Sequence, residues 1–232
     1  MFFYNFNYWL FMLPAFILML AAQWYVSSAY RRWSQIGNRS RLSGAEAAQR
    51  LIRMGGLYDV NIEGVAGNLT DHYDPRHKVL RLSRPVFEGR SVASVAIAAH
   101  ELGHALQDHE GYFPLRLRAA LVPAVNIGST LGWLFILIGI FLQWTGLAWA
   151  GVLIFSAGAL FALATLPVEL NASARARQLL TQAGIIVGDD EQRGVNNVLN
   201  AAALTYVAAL VTAVMQLLYF VSLIGGMGGR RR

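Results

Sequence analysis

The amino-acid sequence predicts a mainly α-helical, polytopic membrane protein, with about four transmembrane helices and a small α+β region between them. Three observations carry that prediction. Apolar runs at residues 8–30, 121–144, 147–166 and 201–224 each reach the ~20 residues a helix needs to cross a bilayer. Hydrophobic residues make up 56% of the chain and charged ones 14%, far below the roughly one quarter charged in soluble domains. Apart from the basic tail 225–232, polar, turn-rich sequence is concentrated in residues 31–120 and 167–200.

Taken in order, the first run ends at Arg31-Arg32 and lacks the basic leader of a secretory signal. It reads as a retained anchor with its N-terminus outside. Phe2, Phe3, Tyr4, Phe6, Tyr8 and Trp9 crowd its start, as expected at a lipid–water interface. Next, Ser43-Gly44-Ala45-Glu46 fits a capping box opening a helix that stops at Gly55-Gly56. Asp59–Val65 and Lys78–Ser83 read as short strands, the second with Val79, Leu80 and Leu82 as its apolar content and Arg81 facing the other way. Residues 67–75 between them form a turn-rich loop. Its Asn68-Leu69-Thr70 matches a glycosylation acceptor, which has no role if this region is cytoplasmic. Ser91 is placed to cap a further helix that opens with small apolar residues.

The runs 121–144 and 147–166 are separated by a short uncharged turn and form a transmembrane hairpin. Arg116 and Arg118 precede it and Arg175 and Arg177 follow it, so both its ends are expected on the cytoplasmic side. Pro167 suits the first turn of a new helix within 167–200. The fourth run, made less apolar by Tyr206 and Gln216, is expected to cross, although the basic tail 225–232 would then lie outside against the charge rule. The net charge is +6, and Lys78 is the only lysine. Because the arginines flank apolar runs, the excess reads as membrane anchoring and not as nucleic-acid binding. With no cysteine, disulfides and a thiolate metal site are excluded.

The chemistry concentrates in Ala98–His109, AAHELGHALQDH. His100-Glu101-Leu102-Gly103-His104 is an H-E-x-x-H pattern: on a helix the two imidazoles lie one turn apart on one face, able to share a Zn²⁺, with Glu101 beside them to take a proton from bound water. Gly103 leaves room for another backbone to approach. A catalytic zinc wants a third protein ligand and an open water position. His72, His77, His109 and several carboxylates are candidates, and Glu169 is favoured because the hairpin returns to the membrane face it left. A carboxylate in the first turn of a helix that starts at Pro167 also has a purely dipolar explanation. Asp108 reads equally as a partner orienting an imidazole or as a solvated residue. Tyr206, His72 and Arg175 are each chemically able to stabilise an oxyanion, and the sequence does not choose among them. The strand Lys78–Ser83 is a candidate to hold an extended substrate by edge pairing.

Together, Asn68-Leu-Thr-Asp-His-Tyr-Asp-Pro75, Ala99-His-Glu-Leu-Gly-His-Ala-Leu-Gln107, Leu166-Pro-Val-Glu-Leu-Asn-Ala-Ser173 and Leu204-Thr-Tyr-Val-Ala208 resemble the YugP-type family of bacterial membrane zinc metallopeptidases. The resemblance spans nearly the whole chain, in order. More distantly the arrangement is similar to the HtpX and CAAX prenyl protease group, whose third ligand is the glutamate opening an E-x-x-x-D motif. Carried over, that ligand is Glu169, with Ser173 standing where the group has Asp. The resemblance implies a zincin-like, gluzincin-type peptidase in a bacterial plasma membrane, with a cytoplasmic catalytic region. A peptide or membrane-protein substrate and the lipid bilayer are the expected partners, and the resemblance does not specify the substrate further. Two other classes stay open: a zinc transporter, whose ligands belong at bilayer mid-depth, and a non-catalytic zinc scaffold, which has no need of Glu101.

Overall fold

Each apolar run becomes a helix longer than the run itself. The computed structural model describes residues 6–228; Phe2, Phe3 and Tyr4 of the aromatic cluster and Arg230–Arg232 of the basic tail lie outside them. Helix α1 (Phe6–Ser34) carries Arg31 and Arg32 in its last turn. Helix α2 (Gly44–Gly55) opens with the expected capping box: the Glu46 amide donates to Ser43 Oγ (3.1 Å) and the Ser43 amide to the Glu46 carboxylate (2.7 Å). It closes at Gly56, whose φ of 69° is the left-handed conformation that glycine adopts without a Cβ penalty.

Three strands follow, β1 (Asn61–Val65), β2 (His72–Asp74) and β3 (Val79–Ser83), in the order β1-β3-β2. β1 runs parallel to β3 and β2 antiparallel to it. Two expectations are corrected here. The loop 67–75 contains a strand, β2, and Lys78–Ser83 is not an edge, because β3 is hydrogen-bonded on both sides. The burial of Leu80 and Leu82 at 0% exposure explains why β3 is central, each contributing about 1.5–3 kcal/mol of apolar transfer. Arg81 is only half-buried and pairs with Asp74 on β2 (2.6 Å) and Glu63 on β1 (3.3 Å). A single turn, α3 (Arg84–Phe87), leads into α4 (Val92–His109), where Ser91 Oγ accepts from the Ser94 amide as the N-cap.

Helix α5 (Phe113–Phe141) begins well before the apolar run 121–144, includes Arg116 and Arg118, and ends three residues before that run does. Helix α6 (Thr145–Gln182) runs without interruption through Pro167. The expected new helix at Pro167 does not exist, and the dipolar explanation of Glu169 falls with it. Proline removes one backbone donor, a loss that long helices packed among neighbours tolerate. Helix α7 (Asp189–Gly228) likewise starts with three polar turns ahead of the run at 201–224. Among the described residues four helices, α1, α5, α6 and α7, are long and apolar enough to span a bilayer. This is a membrane protein.

The chain divides into two compact units. Among the described residues, one gathers 6–21, 116–166 and 205–228, around Ile136, Val152 and Phe220. In it α5 and α6 touch through small residues: a Cβ on Gly139 would lie 2.5 Å from the Ala148 amide nitrogen. The other unit holds residues 22–115 and 167–204. Its core joins Leu51, Leu80, Leu102, Leu180 and Leu199, with Val92–Ala99 of α4 running through it.

Candidate metal centre

The site is built from two helices of this second unit. The small residues Ala93, Ala96, Ala98 and Ala99 of α4 are fully buried, so the helix carries His100 and His104 from the core to its margin. Gly103, on the next turn, has no side chain where α6 passes: a Cβ there would lie 2.6 Å from the Ala172 carbonyl oxygen. That backbone approach brings Glu169 and Ser173 of α6 up to the two imidazoles.

His100 Nε2 lies 3.2 Å and His104 Nε2 3.4 Å from the same carboxylate oxygen, Glu169 Oε2. The three side chains are 11, 12 and 3% exposed. One donor atom from each falls within 4.8 Å of the others, the reach of a single bound ion. The other ring nitrogens are held as well. Ser173 Oγ stands 3.2 Å from His100 Nδ1. The fully buried Gln107 gives its amide hydrogens to the Val168 carbonyl (2.8 Å) and Asn171 Oδ1 (2.9 Å), so its own oxygen faces His104 Nδ1 at 3.0 Å. His104 therefore donates from Nδ1, and in the neutral ring a bare Nε2 lone pair points at a carboxylate oxygen. Two imidazoles and a carboxylate converging in a buried site are a donor set that suits zinc.

Glu101 sits between the two histidines on α4. Burial pushes its pKa up from the usual carboxylate value, against the pull of His100 and His104; the Glu169 and Asp71 charges push the same way as burial. Among the described residues its carboxylate has no hydrogen-bond partner, which leaves it able to accept a proton.

Across residues 8–225 the chain matches the family model described as "Putative neutral zinc metallopeptidase". It belongs to that family. It is also 48% identical over 200 residues, 86% of this chain and 88% of the relative, to the "Putative membrane protease YugP" of Bacillus subtilis (strain 168). No solved structure matches.

The remaining sequence candidates of this family member are not among the three converging ligands. His72 is exposed and contacts the Thr70 carbonyl, His77 is exposed and paired with Asp74, and His109 is exposed at the end of α4. Arg175 is engaged by Glu110 (2.7 Å) and Asn171 (2.7 Å). Tyr206 belongs to the other compact unit. Asp108 contacts neither imidazole: it accepts from Tyr73 Oη (3.0 Å) and Lys78 Nζ (2.7 Å), joining α4 to the sheet. The residue that does meet His104 is Gln107, three positions on. A buried glutamine one turn after the second histidine was the available signal.

Proposed function

We propose that the chain is a membrane-embedded zinc-dependent endopeptidase of gluzincin type, with His100, His104 and Glu169 as the metal ligands and Glu101 as the general base. The observation that carries this reading is the convergence of both imidazole Nε2 atoms on Glu169 Oε2 in a buried pocket. The family of zinc metallopeptidases to which the chain belongs supports it. When bound, zinc lowers the pKa of a water molecule toward ~7 and polarises the scissile carbonyl.

The chain's own residues do the rest. Ser173 and Gln107 fix the two rings so that Nε2, not Nδ1, is presented. Glu101 accepts the proton of the attacking water and delivers it to the leaving amine, and its raised pKa lets it hold that proton between the two events. An extended peptide pairs with the outer edge of β2, which is tied to the catalytic helix through Tyr73 and Asp108. The catalytic region faces the cytoplasm of a bacterial plasma membrane. Arg116, Arg118, Arg175 and Arg177, at the ends of the hairpin helices, support that orientation.

The test compares the protein with Glu101→Gln in lipid nanodiscs, using a quenched-fluorescent casein probe. Cleavage should fall by about 10²–10⁴-fold while zinc stays bound. Unchanged cleavage would overturn the assignment of the base. Orientation is checked with a single cysteine introduced at Glu88 of this cysteine-free chain, which an impermeant maleimide should label only after cells are opened.

A further inference from the structure

Beyond the metal site, an open groove of about 670 Å³ lies between the end of α1 and the start of α7, within the second unit. It is lined from α1 by Tyr25, Arg32 and Trp33, and from α7 by Asp190, Arg193 and a set of asparagines. On α7 the steps from Asp190 to Arg193, Asn197 and Asn200 are three and four residues, so these side chains share one helix face.

The polarity of that face is one-sided. Asn197 bridges the two helices, its oxygen accepting from Trp33 Nε1 (3.3 Å) and its amide donating to Tyr25 Oη (3.1 Å). Tyr25, used there as acceptor, keeps its own hydroxyl proton to give. Asn196 and Asn200 both turn their oxygens to the Arg177 guanidinium (2.7 and 2.6 Å), which can only donate. Their NH₂ ends are thereby left over as donors. Arg32 and Arg193 have no carboxylate partner among the described residues; Arg32 lies over the Trp33 ring, and the one lining carboxylate, Asp190, is taken by Arg39 at 2.8 Å. The groove thus offers two cations without a carboxylate partner among the described residues and several hydrogen-bond donors with almost nothing to accept. That character suits an anion.

Its level in the chain says which anion. Arg32 and Trp33 close the apolar run of the spanning helix α1, and Asn200 immediately precedes the apolar run of α7. Both helices change from apolar to polar at the groove, with a tyrosine and a tryptophan beside two arginines, the combination found at the headgroup layer of a membrane. We propose that this groove binds the phosphate of an anionic phospholipid headgroup. Guanidinium groups suit phosphate oxygens by their paired, planar donors.

The experiment uses the full chain reconstituted into nanodiscs, with lipid retention read by native mass spectrometry after release into detergent. Phosphatidylglycerol should be retained in preference to phosphatidylcholine. The double variant Arg32→Gln, Arg193→Gln should lose that preference by roughly fivefold per charge removed, while the control Arg84→Gln keeps it. Circular dichroism checks that the double variant is folded. A second arm titrates inorganic phosphate into the protein in neutral detergent and follows the melting temperature. Lipid selectivity lost in the double variant, with millimolar phosphate giving no stabilisation, supports the headgroup. Equal retention of both lipids, or selectivity unchanged in the double variant, overturns the proposal, as does phosphate alone stabilising the protein without any lipid preference.

Discussion

Gly103 and Ala172 meet backbone to backbone, so closely that a Cβ on Gly103 would stand 2.6 Å from the Ala172 carbonyl oxygen and 3.1 Å from its Cα. This contact sets the distance between the helix that carries the histidines and the helix that carries Glu169. Ala172 lies between Asn171, which binds Gln107, and Ser173, which meets His100. The metal centre therefore depends on a residue that donates nothing to it.

Gly103→Ala places a methyl group against backbone, which cannot rotate away as a flexible side chain could. Overpacking of this kind costs about 1–3 kcal/mol. The expected result is a lower unfolding temperature in detergent together with weaker zinc retention. An unchanged unfolding temperature and full zinc retention would show that the two helices are free to part.

Gln107 and Asp108 are neighbours in sequence with opposite roles. Gln107→Ala removes the acceptor that fixes His104 and should cost 10–100-fold in zinc affinity, measured by competition with a chelator. Asp108→Asn breaks only the tie to Tyr73 and Lys78, whose side chain is 38% exposed, so zinc affinity should stay within about twofold and stability within about 1 kcal/mol. Equal losses from the two variants would contradict this division.

Glu101 costs the metal-free protein stability. Burial raises its pKa, so its favourable contribution is present in full below the ordinary glutamate range and is lost as pH rises through the shifted value. Metal-free Glu101→Gln should consequently unfold at a higher temperature than the metal-free parent at pH 7. The gap should shrink as pH falls toward that range. A gap that widens on acidification would have the wrong sign.

Much of the architecture is legible in the sequence. The capping box at Ser43 and Glu46, the cap at Ser91 and the stop at Gly56 are local devices, complete within a few residues, and each stands where it was read. Counting apolar residues found the four long helices but not their ends, because α6 and α7 continue into polar turns held by packing. Pro167 was read as a helix start, since sequence alone does not show that neighbours can carry a proline inside α6. Strand β2 is not legible in sequence because His72-Tyr73-Asp74 is only three residues long with a single apolar side chain, and without β2 strand β3 reads as an edge.

The grouping of His100, His104 and Glu169 needed only the turn of one helix and the return of a hairpin, both visible as pattern. The bonds that aim the rings were harder to see. Asp108 is four residues from His104 and carries a charge, so in sequence it reads equally as an imidazole partner or as a solvated residue. The structure gives that place to Gln107, whose amide reaches Asn171 and the Val168 carbonyl on a helix 61 residues away in sequence.

The most direct test of the metal centre is the zinc content of the purified protein beside that of Glu169→Ala, determined by inductively coupled plasma mass spectrometry after dialysis against a weak chelator. The account predicts one zinc per chain in the parent and a small fraction of that in the variant. A variant that keeps its full zinc would contradict the assignment of Glu169 as the third ligand.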